Sequence, residues 1–435
     1  MPTMPESDNR DRKFAGGGAW RTLVVALAVP LASAVGADAG CQAKSGAPTP
    51  GRLLEKVNQA WDVSWSRFYR PETDLFYDYL SSYEAGRGLA HLPTADEVSR
   101  QYPNPYGYGT GMEDCMISAG VMLSMIIDRH RVTHDDALRS SARKVFDGIV
   151  RCAEVHGAPG FIARGVCPED RTGIYKTSSR DQYTHCVHGL WQYFHSDICD
   201  PAAKPAIARI LGAIADRMTR NVTPENDYDF LTADGERDPR GICRMLSVDA
   251  HEAARLPMFY AAAWDVARKE EWRRLYRKYL PPAVAQSFEL KPATTTYALL
   301  QMQCSLELLR DLETDVDLRR RMDDGMRLVA RKAAERSIKA ARDAERLDLK
   351  MVGPDWRVSG GLKGEYRKVW YCIRESGEAA LTQLMAGSDC FGQEQTGLLI
   401  RAIEGVDNEH VSTGGIFYLQ AAYWKARRLG ILGQP

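Results

Sequence analysis

The chain alternates two kinds of helix, and that alternation narrows its fold more than any motif does. The stretch 112–128 is apolar nearly all round, through Met116, Ala119, Val121, Met122, Met125 and Ile126. The next stretch, 135–155, is one-sided, with Arg and Lys along one face. The pairing then repeats: apolar-rich 179–195 with amphipathic 201–220, 248–268 with charged 270–288, and 295–312 with highly charged 317–347. Shorter helices over 375–385, 393–404 and 414–428 close the chain. A helix over 51–70 opens it, with Leu53, Leu54, Val57, Ala60, Trp61 and Trp65 on one side. A helix that is apolar all round must be buried, whereas one with a single apolar stripe lies outside. The count is then six inner and six outer helices. Hairpins of that kind, closed in a ring, make an all-α (α/α)6 barrel or toroid. A flat helical solenoid also alternates, but with a fixed repeat. Here the spacing is irregular and no internal repeat is detected. No strand pair is expected.

The ends of this domain follow from composition shifts. Arg10, Arg12, Lys13 and Arg21 precede an apolar run, Leu23–Leu31, and then the small residues Ala32, Ser33, Ala34, Ala37 and Ala39. That is the order of a secretory signal, too short for a comfortable transmembrane span. Residues 1–39 are therefore expected to be a signal peptide, 40–50 a linker, and 51–430 a single catalytic domain. The protein is expected to be exported, periplasmic or secreted, with no stable membrane span after cleavage. Cys41 raises the question of a lipoprotein, but Asp38 sits where such sites want an apolar residue. Lys+Arg and Asp+Glu both total 57, so nothing global points to nucleic acid as a partner. None of the ten cysteines forms a CxxC or a paired zinc spacing. No metal or other cofactor is expected.

Two irregular segments interrupt the rhythm. Residues 71–111 carry Tyr106 and Tyr108 in a Gly-Tyr-Gly-Thr-Gly run, and 348–374 carry Trp356, Gly360, Gly361, Trp370 and Tyr371. Loops this long inside a compact domain are usually functional. The glycine run lacks a preceding strand, so a dinucleotide-binding reading fails.

The alternating architecture resembles the six-hairpin glycosidase-like superfamily of glycoside hydrolases and polysaccharide lyases. So do the loops Gly109-Thr-Gly-Met-Glu-Asp114 and Ser178-Ser-Arg-Asp-Gln-Tyr-Thr-His185. The resemblance covers Gly51 to Gly430 and implies an α/α toroid that acts on glycosidic bonds. It matches no named family residue by residue, so the candidate site comes from the residues themselves.

In a toroid the inner helices point their N-termini toward one mouth. The segments that reach it carry Glu113 and Asp114, then Arg180, Asp181, His185 and His188 behind the caps Ser178 and Ser179. Further on come His251 and Arg255, then Tyr297, and then Arg374 and Glu375. Compensation of the helix dipole explains acidic residues there. It does not explain Arg164, Arg180, His185, His188, His251, Arg255 and Arg374 accumulating on the same side, because cations at helix N-termini are locally unfavourable. Their accumulation suggests an acidic ligand. Tyr106, Tyr108, Trp370 and Tyr371 suit the apolar faces of sugars, and Tyr183 lies in the same stretch as Arg180.

Two enzymatic readings follow. A polysaccharide lyase acting on uronic acid chains needs a cation or amide to neutralise the carboxylate, and a His or Tyr to take the proton. Arg180, Arg374, His185, His251, Tyr183 and Tyr297 are the candidates, and their surplus favours this reading. A glycoside hydrolase needs two carboxyl groups across the scissile bond. Asp114, Asp181 and Glu375 are the candidates. A non-catalytic helical glycan-binding protein is the third reading, opposed by the crowd of ionisable groups.

Overall fold

The computed structural model describes residues 50–78, 92–351 and 364–433. The expected signal peptide, Cys41 and all but the last residue of the linker lie outside these residues, as do Trp356, Gly360 and Gly361. The helices are α1 (Pro50–Val63), the short α2 (Ala95–Ser99), α3 (Cys115–Thr133), α4 (Ala137–Glu154), α5 (Arg180–Phe194) and α6 (Lys204–Asn221). They continue as α7 (Arg255–Ala267), α8 (Glu270–Gln286), α9 (Thr296–Leu312), α10 (Val316–Asp343), α11 (Gly364–Ala386), α12 (Gln393–Gly405) and α13 (Thr413–Arg428).

Contacts between elements make the fold a closed toroid. α3 touches α5, α5 touches α7, α7 touches α9, α9 touches α11, α11 touches α13, and α13 returns to α3. Those six are the inner helices. Each is backed by an outer one: α4 on α3, α6 on α5, α8 on α7, α10 on α9, α12 on α11 and α1 on α13. The burial pattern gives the reason. From Cys115 to Asp128 only Ser124 of α3 is not buried, whereas α4 buries Leu138, Ala142, Val145, Phe146 and Ile149 along one stripe. The expected all-α (α/α)6 architecture is therefore the observed one.

The inner helices approach closely through glycine. A Cβ on Gly120 of α3 would sit 2.3 Å from the carbonyl oxygen of His185 on α5. A Cβ on Gly377 of α11 would sit 2.8 Å from the backbone nitrogen of Leu419 on α13. Both contacts are backbone, so no rotamer change relieves them.

Several boundaries differ from expectation. The first helix stops at Val63, passes through a π turn at Ser64–Phe68, and ends in a strand β1 (Tyr69–Arg70). That strand pairs antiparallel with β2 (Leu75–Phe76), a two-residue ladder too short to leave an alternation in the sequence. α8 continues through Pro281 and Pro282, which both face solvent. The largest correction is α11, which begins at Gly364 rather than near 375. Its first five residues are all exposed, so they carry no apolar periodicity. Trp370, Tyr371 and Arg374 are thus helical residues, not loop residues.

The glycine contacts generate a test. Gly120→Ala is expected to destabilise the protein by about 1–3 kcal/mol through overpacking. Gly397→Ala, on the exposed side of α12 with nothing within 4 Å of its added Cβ, should be neutral or stabilising by up to about 1 kcal/mol. Denaturant unfolding of both variants measures the contrast, and equal effects would refute the close crossing.

Candidate active site

The inner helices bring their N-terminal ends to one cavity of about 420 Å3. Glu113 and Asp114 reach it from the start of α3, Arg180 and Asp181 from α5, and Thr296 and Tyr297 from α9. Glu252 comes from a 3-10 turn ahead of α7, and Thr413 and Tyr418 from α13. α11 contributes Trp370, Tyr371, Arg374, Glu375 and Glu378 from its interior turns. Asp78, Tyr108 and Arg164 complete the wall from loops.

Local capping sets these positions. Ser179 accepts from the Gln182 N–H at 3.4 Å to start α5, and Thr295 accepts from the Ala298 N–H at 3.3 Å to start α9. Asp114 stands at the cap position of α3, yet its side chain makes no capping bond. Its Oδ1 accepts instead from Gln182 Nε2 at 2.8 Å and from Arg164 Nη1 at 3.4 Å. Its own N–H donates to Asp78 Oδ2 at 2.9 Å, and Asp78 Oδ1 accepts from the Thr413 hydroxyl. The Asp114 carboxylate is therefore held for the cavity, and dipole compensation does not account for it.

The arginines at the mouth have carboxylate partners, which corrects the view of them as a free cationic surplus. Arg255 Nη1 lies 2.5 Å from Asp181 Oδ1, and Arg180 donates to Glu252 Oε1 at 2.8 and 2.5 Å. Arg374 Nε donates to Glu378 Oε1 at 2.6 Å. The Arg374 guanidinium also lies 5.1 and 4.9 Å from the ring centres of Tyr297 and Trp370. Arg336 of α10 pairs with Glu375 at 2.9 Å. Arg164, almost fully buried, takes Asp114 as its counter-charge and lies 5.0 Å from the Tyr108 ring centre.

These pairings divide the two central aspartates. Both carboxylates face the cavity but are ringed by protein, with side chains 27% exposed for Asp114 and 36% for Asp181. Burial raises the Asp114 carboxyl above its ordinary range; Arg164 opposes the shift and the negative charge of Asp181 adds to it. Burial acts on Asp181 too, but the charge and hydrogen bond of Arg255 outweigh it and hold that carboxyl below its ordinary range. One group is thus disposed to keep its proton while its neighbour stays ionised. Burial also raises Glu378, against the pull of Arg374. Tyr297 and Tyr418 are pushed well above the usual phenol range, by burial first and by nearby carboxylates second.

Of the residues singled out in the sequence, Asp114, Asp181, Glu375, Tyr297, Arg164 and Arg180 line this cavity, as do Arg374, Tyr108, Trp370 and Tyr371. The remaining six do not. Arg255 lies behind Asp181, 1% exposed. Tyr106 lies behind Tyr108, its ring stacked at 5.1 Å. His251 sits on the turn beside Glu252, 3.8 Å from its carboxylate. Tyr183 is core: its hydroxyl donates to the Gly160 carbonyl at 3.0 Å and accepts from the Ile162 N–H at 3.1 Å. His185 and His188 lie deeper along the toroid axis, against a small separate cavity of about 30 Å3. Burial pushes His185 down to about 3, with its Nε2 unpartnered among the described residues. His188 is opposed by burial but raised to about 10 by Cys304 and Glu307. Its Nε2 lies 2.9 Å from Glu307, which also takes Lys425 at 2.9 Å.

The sequence reading passed over Asp78, Glu252, Glu378, Gln182, Tyr418 and Arg336. Arg374 and Glu378 stand four apart on one helix, a spacing that signals an ion pair. Gln182 and Glu252 each stand three after a cap, Ser179 and Asp249, at capping-box spacing. The other three are joined by folding alone. Among the described residues, no three His, Cys, Asp or Glu side chains are grouped as metal ligands. Nor is any described helix long and apolar enough to cross a membrane. The nine described cysteines are all free.

With this geometry in view, comparisons with known proteins place the fold. The chain has an (α/α)6 toroid fold. It is similar to a sugar epimerase from a ruminal bacterium, with a TM-score of 0.51 at 10% identity over 87% of this chain and 98% of that one. A glycoside hydrolase family 76 mannosidase from Bacteroides thetaiotaomicron aligns at a TM-score of 0.30 and 9% identity, over 77% of this chain and 98% of that one. No protein-family model and no curated protein sequence matches.

The electrostatic division is directly measurable. Carbon-detected NMR titration of the side-chain carboxyls should show Asp114 above the ordinary value of about 3.9 and Asp181 below it. Arg255→Gln should raise the Asp181 value by removing its main counter-charge. Two ordinary titrations, or an Asp181 that ignores the substitution, would remove the basis for distinguishing the two groups.

Proposed function

We propose that the protein is a carbohydrate-active enzyme, and specifically a glycoside hydrolase with Asp114 as general acid and Asp181 as its ionised counterpart. The observation that carries this reading is the opposite displacement of two neighbouring carboxyls in one cavity. Environments that push two titratable groups apart assign the acid and base roles. The hydrogen bonds to Asp114 fall on Oδ1, which leaves Oδ2 to carry the proton to the leaving glycosidic oxygen. Asp181 then serves the anomeric carbon, through a water in an inverting enzyme or directly in a retaining one. Tyr108, Trp370 and Tyr371 on the wall offer faces for sugar rings. The fold likeness to a sugar epimerase supports a carbohydrate as the ligand.

Elimination, the leading expectation from the sequence, finds less support. Its base would be a histidine or a tyrosinate. No histidine lines the cavity among the described residues, and Tyr297 is disposed to hold its proton. The arginines that would neutralise a uronate already face carboxylates. A purely binding protein gains nothing from keeping a raised and a lowered carboxyl side by side. We place the enzyme outside the cytoplasm and treat residues 51–430 as its single catalytic domain. The signal-like order of residues 1–39 supports export.

Incubation with a panel of glycans tests the reaction class. New reducing ends without ultraviolet absorbance from an unsaturated product are expected; absorbance that rises with cleavage would overturn hydrolysis. Asp114→Asn and Asp181→Asn should each cut turnover at least about a hundredfold with the thermal midpoint retained, while Tyr297→Phe costs far less. The pH profile of kcat/KM should be bell-shaped. Its acid limb reports protonation of Asp181, and its alkaline limb reports loss of the proton from Asp114.

A further inference from the structure

The arginines of the cavity wall are paired with carboxylates, but among the described residues one cation beside the mouth is not. Arg240 lies in the loop between α6 and α7 and is exposed. Its guanidinium carbon lies 4.8 Å from the ring centres of both Tyr106 and Tyr108. No described carboxylate lies within ion-pair reach of it. The two rings are themselves stacked at 5.1 Å with planes 12° apart. The Tyr106 hydroxyl fixes the platform by donating to Asp238 at 2.8 Å, and Asp238 accepts the Ile242 N–H at 2.7 Å.

Arg240 borders a second groove of about 330 Å3, lined also by Arg180, Arg244, Ser247, Asp249 and Glu252. Arg180 and Glu252 belong to the walls of both spaces, so the groove adjoins the main cavity. The other charges of the groove are already paired. Arg180 is matched by Glu252, Arg244 by Asp227, and Asp249 by Lys291 at 2.5 Å. Arg240 is left beside the two tyrosine rings with no carboxylate partner among the described residues. A weakly hydrated guanidinium held in this way matches the planar geometry of a carboxylate and binds it through two parallel hydrogen bonds.

We infer that the groove bordered by Arg240 is an acidic-sugar subsite, which takes the carboxylate of a uronic acid residue flanking the bond cleaved in the main cavity. The inference rests on the hydrolase reading for what happens next door, but not for the binding itself. Tyr108 links the two spaces: its ring carries Arg240, lies 5.0 Å from Arg164, and forms part of the cavity wall. Substrate acidity is then read beside the reacting centre, where a free cation remains, and not at that centre, where the cations are spent on Asp114, Asp181 and Glu378.

Affinity electrophoresis of the full chain tests this without turnover. Gels contain polygalacturonate, alginate or hyaluronate as carboxylated probes, mannan, xylan or amylose as neutral ones, and dextran sulfate as a non-specific polyanion. At least one carboxylated polymer should retard the protein more than dextran sulfate does. Arg240→Gln should weaken that retardation about tenfold, the loss expected for one charge-assisted bidentate pair. Arg240→Lys, which keeps the charge but not the fork, should recover only part of it. An unchanged thermal midpoint separates the effect from misfolding. Equal retardation of Arg240→Gln and the unaltered chain overturns the inference. So does failure of every carboxylated polymer to bind, or equal binding of dextran sulfate. If no reducing ends appear with any glycan while the retardation pattern holds, the hydrolase reading fails and the subsite stands.

Discussion

Six inner helices that bury nearly every residue of their middle turns must be covered on every side there. That constraint closes the ring: α13 has to meet α3, just as each inner helix meets the next. The outer helices then need only one apolar stripe apiece, which is what their sequences carry. Close approach at Gly120 and Gly377 tightens the inner wall. Once the ring is closed, the ends of its helices share one rim, and residues far apart in the chain, such as Asp78, Asp181 and Thr413, line one cavity.

Charge at that rim obeys a second constraint. An arginine enclosed by protein needs a counter-charge, and breaking such a pair leaves an uncompensated charge behind. Asp181, Glu252, Glu375 and Glu378 supply counter-charges at short range. Asp114 has a looser cationic partner, Arg164 at 3.4 Å, and a neighbouring negative charge. The difference between Asp114 and Asp181 thus comes from how closely each is matched, not from residue type.

The fold was legible in the sequence because burial of a helix is written in its own periodicity. Met116 to Ile126 announces a buried helix without help from the rest of the chain. The start of α11 was not legible, since its first turns are exposed on all sides and look like loop. The site was legible only as far as helix N-termini could be located. Nearness to an N-terminus fixes depth along the axis but not direction around it. On α5, Asp181 faces the cavity, Tyr183 turns into the core against Phe230, and His185 and His188 fall one and two turns below. The pairing of Arg255 with Asp181 joins residues 74 positions apart, which no local spacing encodes.

The polar cluster of His188, Glu307 and Lys425 fills the axis beneath the cavity with paired, almost fully buried side chains. The toroid is therefore a cup with a sealed base and not a tunnel. A chain cannot be threaded through it from end to end. Traffic is two-way through one doorway: whatever enters the cavity must clear the same opening before the next molecule settles.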